Sequence, residues 1–339
     1  MNLKWCVVFA AIVVLGQNTL SSKLKSNNDK RERRSFLPGF SCPFSNLRFR
    51  GRPDIKFILH NHNFSEGVDI SEDLGVGKLI PNAPIKVLIH GFLNNASSLM
   101  PSLITNAFMQ RYPELFNVII VDWSIGAGED YLDYYTCHIP KRIVPLVAEG
   151  AFDFLQDMIK SQNINPMYIG LIGHSLGAQI SARIGKKFIQ LGTKLPIIVG
   201  LDPAKSDSPN PTEDERLTAN DAEYVEVIHT NPQDLGMFRP LGTADFYPNY
   251  RRDKQQPGCE FDSTCSHSRA YQYYAESVAN PTAFESVKCL DLEALKENQC
   301  EGGFGNVRVF MGGPGVSSQG KGSGIFYLKT NSKPPYGQY

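Results

Sequence analysis

The sequence predicts an α/β fold, a mostly parallel central sheet with helices on both faces, in a single domain. Two observations carry this. Short β-branched apolar runs alternate with stretches of helical periodicity, the order that strand–helix–strand crossovers produce. No linker or internal repeat divides the chain, and about 300 ordered residues suffice to bury one large core. With 42% hydrophobic and 20% charged residues, including 20 Phe and 14 Tyr, the composition is globular. The 34 basic and 34 acidic side chains cancel. No global field therefore favours nucleic acid or a polybasic membrane contact.

The elements follow in order. Residues 85–89, Ile-Lys-Val-Leu-Ile, read as a buried strand, followed by a helix near 98–111 and a strand at 118–121. A helix is predicted over 141–161, where Ile143, Val147, Ala151, Phe154 and Met158 recur at helical spacing as a core-packing stripe. Then come a strand at 168–172, a helix at 176–190, a strand ending near Leu201 and a strand at 224–228. Residues 230–265 carry Pro232, Pro240, Pro248 and Pro257 and read as loop. The Gly-rich stretch 302–324 ends in a strand at 325–329.

The N-terminus is read as processing signal rather than fold. Lys4 precedes an apolar run from Cys6 to Leu15, then Gly16. That is a secretory signal over residues 1–16, too short for the roughly 20 residues of a transmembrane helix. Residues 17–34 are polar and end in Arg31-Glu32-Arg33-Arg34, which reads as a basic processing site or as a solvated tail. Cleavage there would leave a mature domain of residues 35–339. Six cysteines remain after the signal: Cys42, Cys137, Cys259, Cys265, Cys289 and Cys300. In an oxidising compartment an even number reads as three disulfides. The sequence-local pairs are Cys259–Cys265 and Cys289–Cys300, leaving Cys42–Cys137. No CxxC pair suggests a metal, and none is expected. Asn63 and Asn95 begin Asn-x-Ser triplets and are candidate glycosylation acceptors.

Gly173-His174-Ser175-Leu176-Gly177 follows a predicted strand and opens a predicted helix. In that context a G-x-S-x-G pattern marks a nucleophile on a sharp turn, with Oγ exposed at the carboxyl edge of the sheet. Side chains two residues either side would collide with the facing strand and helix, which explains Gly173 and Gly177. A serine needs a base and an orienting acid. With the order Ser, acid, His, Asp202 in Gly200-Leu201-Asp202-Pro203-Ala204 ends the next strand on the same sheet edge. His60, His62, His90 and His138 precede the serine, and His174 is on the elbow itself. Order leaves His229 and His267, with His267 preferred because a disulfide beside it would fix its loop. The oxyanion donors would be the N–H of Leu176, next to the nucleophile, and of Phe92 in the loop after the first strand.

Six segments in order carry a resemblance: His90-Gly91-Phe92, Val121-Asp122-Trp123, Gly173 to Ala178, Gly200 to Ala204, Val227-Ile228-His229-Thr230 and Cys265-Ser266-His267. Together they resemble the animal pancreatic-lipase family, whose secreted members include triacylglycerol lipases and phospholipases A1. The resemblance runs from about Cys42 to about Tyr336. It implies an α/β-hydrolase fold, Ser175, Asp202 and His267 as the triad, and Phe92 and Leu176 as oxyanion donors. It also settles His267 over His229.

Three departures from the family pattern bear on function. The chain ends soon after the catalytic domain, so no colipase dependence is expected. The lid between the two cysteines before the catalytic His is only Glu260 to Thr264. Five residues reach at most roughly 18 Å, and joined ends halve that projection. Glu260 and Asp262 make it no apolar flap, and short lids resemble the insect phospholipases A1. The family's calcium loop is matched at Glu213, Arg216 and Asp221, but Thr218 stands where an acidic ligand is expected, so no calcium cofactor is expected. The basic cluster Arg251, Arg252 and Lys254 reads as a solvated loop or as a contact to anionic lipid. The expected activity is hydrolysis of lipid esters, as a phospholipase A1 ahead of a triacylglycerol lipase. The reading from a different class is an inactive lipid-binding or yolk-protein-like scaffold, which need not keep all three triad residues.

Overall fold

The computed structural model describes residues 49–129, 131, 133–205, 208, 210–251, 254–300, 308–315 and 322–338. All of them lie in one compact unit, Ser41–Tyr339. The predicted signal, the segment 17–34 and Cys42 fall outside the described residues.

Eleven strands form one sheet among the described residues. In chain order they are β1 (Lys56–Asn61), β2 (Phe64–Asp69), β3 (Ile85–Ile89), β4 (Asn117–Asp122), β5 (Ile169–His174), β6 (Ile197–Leu201), β7 (Tyr224–Ile228), β8 (Ala244–Pro248), β9 (Glu285–Lys288), β10 (Arg308–Phe310) and β11 (Gly324–Leu328). Their spatial order is β10-β9-β11-β8-β7-β6-β5-β3-β4-β1-β2. The centre, from β4 to β8, is parallel, with β11 parallel to β8. The β1–β2 and β9–β10 pairs are antiparallel edges.

The predicted strands and helices occur with ends shifted by a few residues. The long helices are α1 (Leu99–Arg111), α2 (Ile139–Gln162), α3 (Leu176–Gln190) and α4 (Ser263–Ala279). Successive strand residues explain the two covered faces. Val87, Ile89, Ile119 and Val121 belong to one core with Val147, Ala151, Phe154 and Met158 of α2 and Ile180 and Ile184 of α3. Leu88, Val118 and Ile120 belong to a second core with Ile104 and Phe108 of α1 and Tyr273 and Tyr274 of α4. Apolar residues at every position thus serve two cores through the period-2 alternation of a strand.

The loop predicted over 230–265 is corrected in two places. Residues 244–248 form β8, and α4 begins at Ser263. Pro248 is compatible with a strand here because it is the last residue, where a missing N–H costs no interior ladder bond. The β1–β2 hairpin is not marked in the sequence: the Phe57-Ile58-Leu59 run masks the alternating burial of β1, and β2 is polar with no fully buried residue.

Candidate active site

The parallel centre places the ends of β3, β5 and β6 side by side. Ile89 lies in register with Gly173, and His174 with Leu201. Whatever follows these strands therefore meets at one sheet edge, where open α/β sheets form their binding crevice. The residues that follow are His90-Gly91-Phe92, Ser175 and Asp202.

Ser175 has φ 58° and ψ −121° and is the N-cap of α3. A non-glycine residue held there is strained, and the surroundings enforce it. A Cβ on Gly177 would lie 2.0 Å from the Ile89 carbonyl oxygen, and one on Gly173 2.2 Å from the Gly177 oxygen. Only glycine at both positions lets the strand turn this sharply into the helix. The Ser175 N–H donates to Leu201 O at 3.0 Å, which ties the turn to β6. Ser175 is 8% exposed, and its Oγ makes no hydrogen bond among the described residues.

Asp202 is fully buried. Its Oδ1 accepts the backbone N–H groups of Thr230 and Asn231 at 2.9 and 3.0 Å. Its Oδ2 accepts from His267 Nδ1 at 2.5 Å. A buried carboxylate with three donors is fixed in place. Gly236 allows the chain to pass close by, since a Cβ there would meet Asp202 Oδ1 at 2.5 Å. With Nδ1–H held by Asp202, the free lone pair of His267 is on Nε2. His267 sits in the second turn of α4, and its carbonyl oxygen faces His174 Nε2 at 3.2 Å. Burial pushes His174 well below the usual histidine range, and the neighbouring His267 adds to the shift. His174 is therefore a neutral donor to the backbone of His267, with ring centroids 4.5 Å apart.

Two other buried histidines, His229 and His90, are otherwise engaged. His229 is buried, with Nδ1 facing Met237 O at 2.8 Å, Nε2 facing Asp245 Oδ1 at 2.9 Å and its ring stacked on Tyr247. Neither nitrogen is free to take a proton from substrate. His90 Nδ1 faces Gly91 O, and its Nε2 accepts from the Trp123 N–H. The N–H groups of Phe92 and Leu176 donate to nothing among the described residues. The Phe92 loop lies against the elbow, since a Cβ on Gly91 would come 3.0 Å from Ser175 Cβ. Two unused donors beside a serine can receive an oxyanion. The Thr230 and Asn231 N–H groups and Gly236 were missed in the sequence, because backbone donors and close approaches leave no residue-type signal.

The lid is shorter than its sequence suggests. Cys259 and Cys265 are bonded with Cα atoms 5.5 Å apart, and α4 takes over at Ser263. Asp262, itself exposed, caps α4 by accepting the Thr264 and Cys265 N–H groups. Phe261 is left fully exposed. Cys289 and Cys300 are also bonded. The predicted Cys42–Cys137 pair involves a residue outside the described ones. Asn63 lies exposed in the β1–β2 turn and Asn95 is exposed ahead of α1. Of the basic cluster, Arg251 and Lys254 are exposed, and Arg252 is outside the described residues.

Beside Leu176 opens a cavity of about 280 Å³, lined by Lys141, Arg183, Lys205 and Glu215 together with Pro140, Val144 and Gln179. Arg183 Nε is buried with no hydrogen-bond partner. In the loop resembling a calcium site, both Asp221 carboxylate oxygens and the Arg216 carbonyl meet Lys186 Nζ, and Glu213 pairs with Arg216. Among the described residues, no group of three His, Cys, Asp or Glu side chains is set to hold a metal ion. No helix among them is long and apolar enough to cross a membrane.

Comparison with known proteins identifies the family. The Lipase family model matches residues 44–336. Phospholipase A1 2 of Dolichovespula maculata is 36% identical over 243 residues, 66% of this chain and 77% of the relative. Phospholipase A1 of Polybia paulista is 32% identical over 264 residues, 72% of this chain and 76% of the relative. Pancreatic lipase-related protein 2 of Bos taurus is 34% identical over 274 residues, 73% of this chain but 56% of that longer relative. With the strand-end elbow, a buried carboxylate–histidine pair and a family match over nearly the whole described unit, the chain belongs to the lipase family.

Proposed function

We propose that this chain is a secreted serine hydrolase that releases a fatty acid from phospholipid, a phospholipase A1, with Ser175, Asp202 and His267 as its triad. His267 Nε2 takes the Ser175 proton as Oγ bonds to the ester carbonyl carbon. Asp202 holds the ring and offsets its developing charge. The Phe92 and Leu176 N–H groups receive the oxyanion. Collapse breaks the acyl C–O bond as His267 returns the proton to the glycerol oxygen. Water then attacks the acyl-enzyme by the same route, freeing the fatty acid and Ser175. The open Ser175 Oγ fits this chemistry, since such bonds often tighten only once substrate is bound.

The observation that carries phospholipid over triacylglycerol is the polarity of the entrance. Only Glu260, Phe261 and Asp262 project from the clamped lid before α4 begins. The adjoining cavity presents three cations against one carboxylate. The Glu215 carboxylate is already engaged by the Thr212 N–H at 2.9 Å. A phosphodiester meets charge complementarity there and need not be desolvated beneath an apolar roof. Two disulfides and the apolar N-terminal run support secretion.

The test presents mixed-acyl phosphatidylcholine and triacylglycerol together and identifies the released fatty acids by mass spectrometry, with Ser175→Ala as control. Release of the sn-1 chain, with little attack on triacylglycerol, is expected. Preferential triacylglycerol hydrolysis would leave the triad standing and overturn the phospholipid reading.

A further inference from the structure

We infer that the Lys186 ammonium permanently fills the cation seat in the loop between β6 and β7, so that this fold binds no calcium and needs none. The seat is defined by oxygens. Asp221 Oδ1 and Oδ2 lie 2.6 and 2.7 Å from Lys186 Nζ, and the Arg216 carbonyl oxygen 3.0 Å. A bidentate carboxylate and a backbone carbonyl converging on one point are the ligands a hard cation takes. An ammonium stands at that point instead.

Charge explains why it stays. Asp221 supplies one negative charge, and the acidic residue the family pattern calls for is the neutral Thr218. Its Oγ1 and N–H both donate to Asp221, at 2.9 and 2.8 Å. The second carboxylate near by, Glu213, is turned to Arg216. One ammonium neutralises the site, whereas a divalent ion would leave it positive and would have to expel Lys186 first. Of the charged neighbours, Asp214 adds attraction and Arg183 repulsion at Lys186. Asp221 is 2% and the Lys186 side chain 19% exposed, so the pair is poorly screened by water.

The helix is built to deliver this cation. Gly185 lets α3 approach the loop, since a Cβ there would lie 2.3 Å from Asp221 O. About two turns earlier on the same helix face, Gln179 accepts the Leu217 N–H and donates to Ala204 O. Gln179 and Lys186 together staple the loop to the helix that begins at Ser175. The Lys186 contact does tethered what a bound ion would do reversibly.

The test uses the mature, disulfide-intact protein and measures calcium binding by calorimetry and Tm with and without chelator. The wild type should bind no calcium, and its Tm should not move with either addition. Lys186→Met should raise the unfolding equilibrium constant about tenfold to a hundredfold and lower Tm by a few degrees. Lys186→Arg should recover most of that loss. The double variant Lys186→Met, Thr218→Asp should bind calcium and regain Tm with it, since two carboxylates then face an open seat. Stoichiometric calcium binding by the wild type, or a fall in its Tm on chelation, would overturn the inference even if no variant folds. A Lys186→Met protein as stable as the wild type would overturn it as well.

Discussion

Two histidines competed in the sequence for the role of base, and their surroundings separate them. His229 faces a carbonyl and a buried carboxylate with its two nitrogens, whereas His267 spends only Nδ1 on Asp202. His267→Asn is therefore expected to lower kcat by about three orders of magnitude or more with Tm little changed. His229→Asn is expected to lower Tm while the folded fraction keeps its kcat and pH profile. Activity assays normalised to folded protein by circular dichroism check both, and a kcat collapse in folded His229→Asn would reassign the base. His174 yields a pH prediction. Its folded pKa lies well below the usual value because it is buried beside His267. The unfolded chain takes up that proton below about pH 6.5. The unfolded state then binds more protons, so stability is full above that pH and falls as pH drops below it, by at most about 1.4 kcal/mol per pH unit. Urea unfolding across this range should show that slope, and His174→Gln should flatten it.

Among the elements, the β5–α3 elbow is the most constrained. Gly177→Ala is expected to cost about 3 kcal/mol or more, because its Cβ would stand 2.0 Å from a backbone oxygen that no side-chain rotation can move. Denaturant midpoints check this, and a cost below about 1 kcal/mol would mean the elbow opens more easily than drawn. The elbow was legible in the sequence because two glycines flank the serine between an apolar run and an amphipathic helix. β8 was not legible. Pro248 hides at a strand end, and Asp245 sits inside an otherwise apolar stretch, where it accepts the Leu241 and Gly242 N–H groups and faces His229. The start of α4 was obscured for a related reason. Asp262 reads as a surface charge in the lid but is the cap of the helix that carries His267. The Lys186–Asp221 contact joins residues 35 apart, and neighbouring Lys187 looks identical in sequence while pairing with Glu149. Only the loop's path over Gly185 tells the two lysines apart.

For the whole molecule, the proposed function assigns chemistry to the sheet edge and preference to the face beside α3. The two are separable, because Ser175 and the cavity side chain Arg183 lie two helical turns apart on α3. Arg183→Gln is expected to lower kcat/KM for phosphatidylcholine about tenfold and to leave turnover of a short neutral ester unchanged. Equal losses on both substrates would make Arg183 a structural residue and remove the cavity from the argument for phospholipid. The most direct measurement concerns Ser175 itself, independent of any lipid. Folded protein would be treated with a fluorophosphonate, and the adduct located and timed by intact mass and peptide mapping. Wild type should be labelled at Ser175 alone, with labelling slowed by orders of magnitude in His267→Asn and Asp202→Asn and absent in Ser175→Ala. Folded wild type that takes no label at Ser175, or His267→Asn that labels at the wild-type rate, would contradict the assignment of this site as the acyl-transfer centre.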